Sequence, residues 1–376
     1  MTQFDDHDSS RTTISFGPVP TDQPGAGGLG HYLVALEGAE PGRIVEITTE
    51  PVTIGRDATQ TIVVPDAELS RRHARVFVVA GMVLAEDLKS TNGTFVDGSR
   101  ITSPTPLNEG SLLRLGRQVF QYERRDRREA ERSQQLSRDL QQASKYVLSL
   151  LPAPLDEGPV LTNWCYEPSA LLGGDAFGYG WLDDDTFAFY LVDISGHGAG
   201  SAMHSVTILN VLRQRALPQV DFADPAAVLS SLNDRFQMES HDNLCFTMWY
   251  GIYRVSTREL VFSAAGHHPA FLVPPDRAAH VPLAAPHLMI GAVPGIAYEL
   301  RRATLAPGSL VYLFSDGLFE IVTNEDRQWT LADFLPHLLP SAAEAGGTER
   351  LVQQVKSVVK DGVFDDDVSV LALTFR

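Results

Sequence analysis

A densely charged run, ERRDRREAERSQQLSRD at 123–139, divides the sequence into two parts of different texture. The run contains no glycine or proline, so nothing in it breaks a helix. Before it, from 31 to 122, short apolar runs alternate with Gly, Pro, Asn and Asp turns, which is typical of a β-sandwich. After it, strand-like and helical runs alternate to residue 376. We therefore predict a multidomain chain with an all-β domain, a helical connector and an α+β domain.

The predicted organisation has four segments, which are a flexible tail at 1–30, the β domain at 31–122, the connector at 123–152 and the α+β domain at 153–376. The glycines at 25–30 fit the pattern G-x-G-x-x-G. A dinucleotide site needs a strand before this pattern and a helix after it. Here a polar tail precedes it and a strand-like run follows it, so we exclude that site.

The connector carries apolar residues at steps of four, three, four and three, namely Leu136, Leu140, Ala143, Val147 and Leu150. This is the a/d pattern of a coiled coil, although it lasts for only about two heptads. The pattern fits a short homodimer seam and a helix packed on its own domain equally well. A pair of prolines at 152 and 154 ends the predicted helix.

Composition excludes several classes of protein. The net charge of −17 disfavours nucleic acid as a partner, because the phosphate backbone would be repelled. No apolar run approaches the ~20 residues of a membrane-spanning helix, and the N-terminus lacks the pattern of a secretory signal. Cys165 and Cys245 lack metal-ligand spacing, so we expect buried free thiols and a reducing, cytoplasmic setting.

Three polar clusters lie at predicted strand ends of the β domain: Gly55-Arg56, Ser70-Arg71-Arg72-His73 and Ser90-Thr91-Asn92-Gly93-Thr94. A phosphate dianion is bound well by a guanidinium fork together with hydroxyl and amide donors. Each cluster alone fits a turn or a packing role better than a binding site. Together, in this order and spacing, they closely resemble the forkhead-associated (FHA) domain over about 32–122.

The FHA resemblance implies an eleven-stranded sandwich whose loops bind phosphothreonine peptides. Its binding positions correspond here to Arg56, Ser70, Arg71, Thr91 and Asn92. By this resemblance Arg56 and Ser70 hold the phosphate, and Asn92 orients the main chain of the peptide. The partner implied is a phosphothreonine protein, such as a serine/threonine kinase.

Acidic residues follow apolar runs at four places in the second part: Asp175, Asp193, Asp316 and the triplet at 365–367. An aspartate in such a position is costly to bury unless a cation or hydrogen bonds compensate it. Carboxylates favour hard ions such as Mg²⁺ and Mn²⁺ over zinc. One such residue alone is readily a turn aspartate, but four in one domain predict a metal centre.

The motifs around these aspartates are LLGGDAFGYGW, FYLVDISGHGAGSA, CFTMWYGIY, AAGHHPAFL, LFSDGLFE and FDDDVSVLAL. Over about 155–376 they resemble the PPM family of metal-dependent protein serine/threonine phosphatases. The likeness is greatest to its bacterial branch, which includes the sporulation protein E and sigma-factor regulatory phosphatases. The resemblance implies α-β-β-α layers, with the metal centre at one end of the sheets.

The resemblance also assigns two Mn²⁺ or Mg²⁺ ions to this centre. Asp193 would bridge them, the carbonyl of Ile194 would complete one shell, and the other carboxylates would come from Asp175, Asp316 and Asp366. Asp193 and Asp175 would be the principal catalytic residues. If the register of the acidic triplet differs by one residue, Asp367 replaces Asp366.

Two positions depart from the family pattern. Many relatives carry a second aspartate three residues after the one at Asp175, where this chain has Gly178. Eukaryotic members place a general-acid histidine where this chain has Ser195, and the nearest histidine is His197, which fits a loop-shaping role better. The sequence also offers no arginine that is clearly a substrate clamp, because Arg213 and Arg215 fit a helix face equally well.

The combined resemblances predict a metal-dependent protein serine/threonine phosphatase acting on a signalling protein, with an anti-sigma-factor antagonist as the leading candidate substrate. The FHA domain would recruit or regulate by binding phosphothreonine. Two alternatives are a phosphodependent scaffold that has lost turnover and a phosphatase of small metabolites.

Overall fold

The computed structural model describes residues 28–39, 41–196, 198–241, 243–341 and 347–376. Most of the predicted tail, at 1–27, and His197 lie outside these described residues. The chain divides into two compact units, Met1–Ser137 and Arg138–Arg376. Within the described ranges, no helix combines the length and the apolar character that a membrane crossing requires.

The described residues of the first unit form eleven strands in two sheets. The strands are β1 (Leu29–Glu37), β2 (Ile44–Ile47), β3 (Val52–Gly55), β4 (Ile62–Val63), β5 (Ala74–Val79), β6 (Met82–Asp87), β7 (Thr94–Val96), β8 (Ser99–Arg100), β9 (Thr105–Pro106), β10 (Leu112–Leu115) and β11 (Gln118–Asp126). The sheet orders are β2-β1-β11-β10-β7-β8 and β4-β3-β5-β6-β9. The predicted all-β sandwich and its strand number are thereby confirmed.

Alternation of side chains builds the core of this sandwich. In β10, Leu113 and Leu115 are fully buried, whereas Leu112 and Arg114 are exposed. This period of two places alternate residues on opposite faces of a strand. The inward residues of both sheets form one hydrophobic cluster.

The last strand continues into the charged run for which the sequence predicts helix. Residues 123–126 belong to β11 and pair with 29–32 of β1, starting from Leu29 opposite Asp126. Helix α1 (Arg127–Ser149) begins only after this pairing ends. A long-range strand partner therefore overrides the local helical preference over four residues.

In the part of the second unit that the structure describes there are ten strands and five further α-helices. The strands are β12 (Val160–Glu167), β13 (Ala176–Trp181), β14 (Thr186–Ile194), β15 (Phe246–Arg254), β16 (Glu259–Ala265), β17 (Ala270–Val273), β18 (Val281–Leu283), β19 (Arg301–Thr304), β20 (Ser309–Phe314) and β21 (Val368–Phe375). The helices are α2 (Ala199–Arg213), α3 (Pro225–Arg235), α4 (Leu331–Phe334), α5 (Leu338–Ser341) and α6 (Gly347–Lys356). The sheet orders are β12-β21-β20-β17-β18 and β13-β14-β15-β16-β19.

Both sheets of the second unit are buried on their two faces. In β14, Phe189 and Leu191 enter the core between the sheets, while Val192 packs with α2 and α3. In β21, Leu371 enters the same inter-sheet core, while Val370 packs with α6. Helix, sheet, sheet and helix layers follow, which confirms the predicted α-β-β-α architecture.

The connector helix packs on its own domain. Leu140, Ala143 and Val147 of α1 form a small cluster with Leu172 and with α2. Leu136, the first residue of the heptad pattern, is 60% exposed. The structure thus contains the packed helix, and the homodimer seam stays a prediction.

Candidate functional site

Asp175 and Asp193 come together because their strands are antiparallel neighbours. Ala176, the first residue of β13, pairs with Val192 of β14, so Asp175 and Asp193 each lie next to this pair at the same edge. Asp175 is 3% exposed.

Asp316 and the acidic triplet come together at the other sheet because β20 and β21 are also antiparallel neighbours. Phe314 ends β20 and pairs with Val370 of β21. Asp316 begins a short 3-10 turn after β20, and Asp366 and Asp367 directly precede β21. The two sheets thus bring all four predicted carboxylate positions to one edge of the domain.

Electrostatic interactions join the two pairs into one cluster. Burial raises the pKa of Asp193 to about 8, with further contributions from the carboxylates of Asp316 and Asp366. Burial likewise raises the pKa of Asp316 to about 6, assisted by Asp366 and Glu320. Carboxyl groups that raise one another's pKa need a proton or a cation between them.

Two glycines allow the backbone segments of the cluster to approach closely. A Cβ on Gly174 would lie 3.2 Å from the carbonyl oxygen of Ile194 and 3.1 Å from Cβ of Ser201. A Cβ on Gly317 would collide with the carbonyl oxygen of Asp367. The G-G-D and D-G sequences therefore have a steric reason that is separate from turn formation.

Asp366 and Asp367 have different environments. Asp367 is 3% exposed, and its Oδ1 accepts hydrogen bonds from the amide and hydroxyl of Ser169 at 2.7 and 3.0 Å. Its Oδ2 accepts a hydrogen bond from the amide of Gly174 at 2.5 Å. Asp366 is exposed. Asp367 thus holds the turn that presents Asp175, whereas the Asp366 carboxylate is more accessible to a ligand.

The donor set fits a hard divalent cation. Oδ2 of Asp175 is buried without a hydrogen-bond partner, which is costly for a carboxylate oxygen. Among the residues that the structure describes, no three His, Cys, Asp or Glu side chains are close enough to form a complete metal-binding site. Mutual repulsion favours such spacing between carboxylates, and a cation offsets that repulsion. Oxygen-only ligands select Mg²⁺ or Mn²⁺.

Several residues of this region were missed by the sequence reasoning. Ser315 donates its hydroxyl to the carbonyl of Asp367 at 3.0 Å and accepts from the amide of Ser369 at 2.9 Å, which ties β20 to β21. The hydroxyl of Tyr166 is buried without a hydrogen-bond partner, and the charges of Asp367 and Asp175 reach it. Glu320, whose charge acts on Asp316, was also missed. Its position four residues after Asp316, about one helical turn, indicates that the two carboxylates lie close together.

A buried histidine pair supports the loop that carries Asp316. The ring of His268 lies 4.7 Å from that of Phe314 and 5.1 Å from that of Phe319. The rings of His267 and His268 are 4.3 Å apart. Burial lowers the pKa of His268 to about 4, and burial and then His268 lower that of His267. Both imidazoles are therefore neutral at physiological pH.

The departures from the family pattern also have structural counterparts. A side chain at Gly178 would collide with the hydroxyl of Tyr190, so this strand position leaves no space for a carboxylate. Ser195 accepts a hydrogen bond from the amide of Cys245 at 3.2 Å. Arg213 and Arg215 donate to backbone carbonyls, of Leu150 and of residues 181–182 respectively. They therefore brace the backbone.

The two cysteines are free, as predicted, but each is half-buried where full burial was expected. Cys165 lies on β12 and has its pKa raised to about 11, first by burial and then by nearby carboxylates. Such a thiol is protonated and unreactive at neutral pH. Cys245 precedes β15 and contacts Ser195.

In the first unit, the three polar clusters meet at one end of the sandwich. The amide of Arg56 donates to the carbonyl of Ser70 at 3.1 Å. The hydroxyl of Ser70 accepts from the amide of Thr91 at 3.0 Å. The side chain of Asn92 donates to the carbonyl of Glu68 at 2.8 Å. These contacts join the loops after β3, before β5 and before β7.

A buried histidine supports this loop set from below. His73 is fully buried, and its Nδ1 accepts from the amide of Ser70 at 3.2 Å. Its Nε2 lies 3.1 Å from the carbonyl oxygen of Gly93, so it carries the proton that donates there. Arg56, Arg71, Thr91 and Asn92 are exposed at the surface above it. The arrangement presents two guanidinium groups and hydroxyl donors on a fixed base.

Comparisons with known proteins agree with both halves. The profile of the FHA domain matches residues 52–116. The FHA domain-containing protein FhaB of Mycobacterium tuberculosis is 37% identical over 90 residues, which are 24% of this chain and 58% of that protein. The phosphoserine phosphatase RsbP of Bacillus subtilis is 25% identical over 187 residues, which are 49% of this chain and 45% of that protein. This chain thus spans about half the length of the curated relatives it matches.

Among solved structures, the SiaA-PP2C domain of Pseudomonas aeruginosa has a TM-score of 0.58 and 21% identity, and the match covers 66% of this chain and 100% of that one. At this identity the likeness establishes the fold. The profile named stage II sporulation protein E (SpoIIE) matches residues 183–376, more than half of the 376 residues. Together with the PP2C fold and the FHA domain at 52–116, this match shows that the chain belongs to the SpoIIE family.

Proposed function

We propose that this protein is a metal-dependent protein serine/threonine phosphatase whose FHA domain binds phosphothreonine. The observation that carries the proposal is the meeting of four aspartates from two sheets at one edge, with the pKa of Asp193 and of Asp316 raised there. A buried carboxylate cluster with this donor set is suited to hard cations and to phosphoryl chemistry.

The residues that would hold two Mn²⁺ or Mg²⁺ ions are Asp193, the carbonyl of Ile194, Asp175, Asp316 and Asp366. The bound ions supply Lewis acidity and offset negative charge on the phosphoryl group. The chain itself fixes the position of each carboxylate. Asp193 is held within β14, and Asp175 is held by the turn at 173–174.

Asp367 orients this centre and is not among the proposed ligands. Its hydrogen bonds to Ser169 and Gly174 occupy both carboxylate oxygens. We propose the four segments that the sequence predicts, with the FHA domain extended from 31–122 to 29–126 because β1 and β11 pair over these residues. The tail then ends at 28, the connector covers 127–152 and the phosphatase domain covers 153–376. The catalytic residues of the last are Asp193 and Asp175.

The FHA site would take a phosphothreonine peptide at Arg56, Ser70, Arg71, Thr91 and Asn92. The two guanidinium groups suit a phosphate dianion, and their loops are already joined by hydrogen bonds. A phosphothreonine protein, such as a serine/threonine kinase, would be recruited there. Binding raises the local concentration of phosphoprotein near the catalytic domain, or regulates it.

The proposed substrate is a phosphoserine on a signalling protein, with an anti-sigma-factor antagonist as the leading candidate. The likeness to RsbP, a phosphoserine phosphatase, supports phosphoserine. An FHA domain recruits phosphoproteins, and an enzyme that acts on small metabolites has no need of such recruitment.

Phosphate release tests the catalytic half of the proposal. The substrates are p-nitrophenyl phosphate and a phosphoserine protein, each with Mn²⁺, Mg²⁺ or EDTA. We expect metal-dependent turnover that Asp193→Ala abolishes. Asp365→Asn is the control, because Asp365 is exposed and its substitution also removes one negative charge beside the centre. Absence of turnover with every metal would favour a phosphodependent scaffold.

Phosphopeptide binding tests the other half. Arg56→Ala should weaken binding of phosphothreonine peptides by at least about tenfold, because a charge-assisted contact to phosphate is lost. Arg124→Ala is the control. Gln118, the first residue of β11, lies at the end of the sandwich that carries the polar clusters, and the exposed Arg124 lies six residues further along the strand, towards the opposite end. Equal binding by both variants would contradict the assigned site.

A further inference from the structure

Three large apolar side chains stand on the surface between β18 and β19. Leu288 is 54% exposed, Met289 is 37% exposed and Val293 is 46% exposed. We call these three residues the apolar ridge. Single exposed apolar residues are ordinary, whereas several in one short segment make that segment a candidate contact site.

The backbone beneath the ridge is fixed on both sides. The carbonyl of His287 accepts from the amide of Gly266 at 2.9 Å. Ile290 is fully buried and exchanges two backbone hydrogen bonds with Phe246, at 2.9 and 3.2 Å. Gly266 directly follows β16 and Phe246 is the first residue of β15, so the ridge is attached to the second sheet of the domain.

A buried asparagine fixes the other end of the ridge. Oδ1 of Asn233 accepts from the amide of Gly291, and its Nδ2 donates to the carbonyl of Val293, each at 2.9 Å. Gly291 has a φ of 92°, and a Cβ there would lie 2.6 Å from the carbonyl oxygen of Phe236. Because the backbone is anchored at these points, the segment that carries the ridge cannot move away from the domain without breaking hydrogen bonds.

The ridge borders the carboxylate edge. Ile290 pairs with Phe246 of β15, and Phe246 pairs with Ile194 of β14, which directly follows Asp193. Neighbouring strands lie about 4.8 Å apart, so the backbone of Ile290 is roughly 10 Å from that of Ile194. A phosphoserine side chain is short. A folded protein that places its phosphate at the cluster must therefore lay its own surface over these surroundings.

Charge gives a reason for an apolar contact at this place. The chain has a net charge of −17, and a phosphoserine adds about −1.5 to −2 to its protein at neutral pH. Long-range electrostatics therefore does not favour the approach of this phosphate group to the chain. Apolar contacts beside the site are independent of this repulsion and supply short-range affinity.

We propose that the apolar ridge is the docking site of the folded phosphoprotein substrate, which contacts it through apolar residues beside its phosphoserine. This inference rests on the proposed phosphatase function and adds the surface that selects proteins over small phosphate esters. A ridge at this distance affects only substrates large enough to cover both the ridge and the carboxylates. Its contribution therefore belongs to KM for a protein and is absent for a small ester.

The test uses the double variant Leu288→Ser/Met289→Ser in the full chain. The substrates are a folded, phosphoserine-bearing anti-sigma-factor antagonist and p-nitrophenyl phosphate. We expect KM for the phosphoprotein to rise about tenfold, as for the loss of a contact hot spot, with kcat/KM for p-nitrophenyl phosphate unchanged. Val281→Ser is the matched control, because Val281 is 46% exposed on the edge strand β18 of the other sheet.

Several outcomes would overturn the inference. An unchanged KM for the phosphoprotein would show that the ridge is not used, and an equal loss with both substrates would place the defect in the catalytic centre. A dimeric wild type that becomes monomeric in the double variant, measured by sedimentation, would make the ridge a subunit interface instead. If the double variant does not fold, Val293→Ser alone replaces it, with the same expected direction. Failure of wild type to hydrolyse p-nitrophenyl phosphate with any metal would instead contradict the proposed function itself.

Discussion

Asp366 and Asp367 are adjacent carboxylates for which the structure predicts opposite mutational effects. Asp367 accepts three hydrogen bonds from Ser169 and Gly174 in a buried setting. In Asp367→Asn, an NH₂ group replaces one carboxylate oxygen. This group must then face a hydrogen-bond donor, which is either the amide of Gly174 or the amide and hydroxyl of Ser169. Asp366 is exposed, and its Oδ1 accepts from the amide of Asp367. Asp366→Asn keeps an oxygen that can accept this bond.

The expected loss of stability in Asp367→Asn follows from these contacts. Hydrogen bonds to a charged acceptor contribute about 1.5–3 kcal/mol each, and at least one is lost outright while the others weaken. Removing the charge also relieves repulsion with Asp175 and Asp193, which offsets part of this loss. We expect a net decrease of about 2 kcal/mol in the free energy of unfolding. For Asp366→Asn we expect no loss of stability beyond about 0.5 kcal/mol, because this substitution relieves repulsion with Asp193 and Asp316 and keeps the hydrogen bond to Asp367.

Urea unfolding in EDTA measures these differences without metal. All four tryptophans of the chain lie after residue 138, so their fluorescence reports on the second unit. Turnover at increasing Mn²⁺ then separates the roles. Asp366→Asn should require much more Mn²⁺ at nearly unchanged stability. An Asp367→Asn protein as stable as wild type, but with a raised Mn²⁺ requirement, would refute this reasoning and make Asp367 the ligand.

Two further predictions follow from the buried histidines and the connector. The pKa of His268 is about 4 in the folded protein and about 6.5 in an unfolded chain, so acidification protonates the unfolded state first. The stability that His268 contributes is complete above pH 6.5 and falls as the pH approaches 4, by about 2 kcal/mol at pH 5. Urea unfolding at pH 7.5 and 5 should therefore show a smaller loss for His268→Phe than for wild type. The neighbouring His267 and the aspartates titrate in both proteins, and an equal loss in both would contradict the assignment. Replacing Leu140 and Val147 with glutamine should uncouple phosphopeptide binding from the rate of hydrolysis, whereas Leu136→Gln, at an exposed position, should not. A rate that still responds fully to phosphopeptide in the double variant would exclude the connector as the route.

Local patterns in the sequence predict most of the fold. Near-continuous apolar runs such as TFAFYLVDI identify strands that are buried on both faces. The four acidic positions are predictable because each follows or precedes such a run. Antiparallel pairing then brings Asp175 beside Asp193, and Asp316 beside the acidic triplet.

Long-range contacts explain what sequence reasoning could not predict. The strand extension at 123–126 depends on residues 29–32, about ninety positions earlier. The role of Asp367 depends on Ser169, which is 198 residues away in the chain. Burial of His268 depends on Phe314 and Phe319. No local pattern carries these partners, so only the three-dimensional structure reveals them.

Helix α2 links the connector to the carboxylate edge through direct contacts. Its first turn is close to the catalytic segment, since Cβ of Ser201 would lie 3.1 Å from a Cβ on Gly174. One residue further, Ala202 is buried in the cluster that contains Val147 of α1. Because cores are close-packed, a shift of α1 must be accommodated by α2 or leave a cavity. A shift of α2 in turn changes the space around Gly174, the residue before Asp175. The same contacts that stabilise the connector therefore constrain the position of one predicted metal ligand.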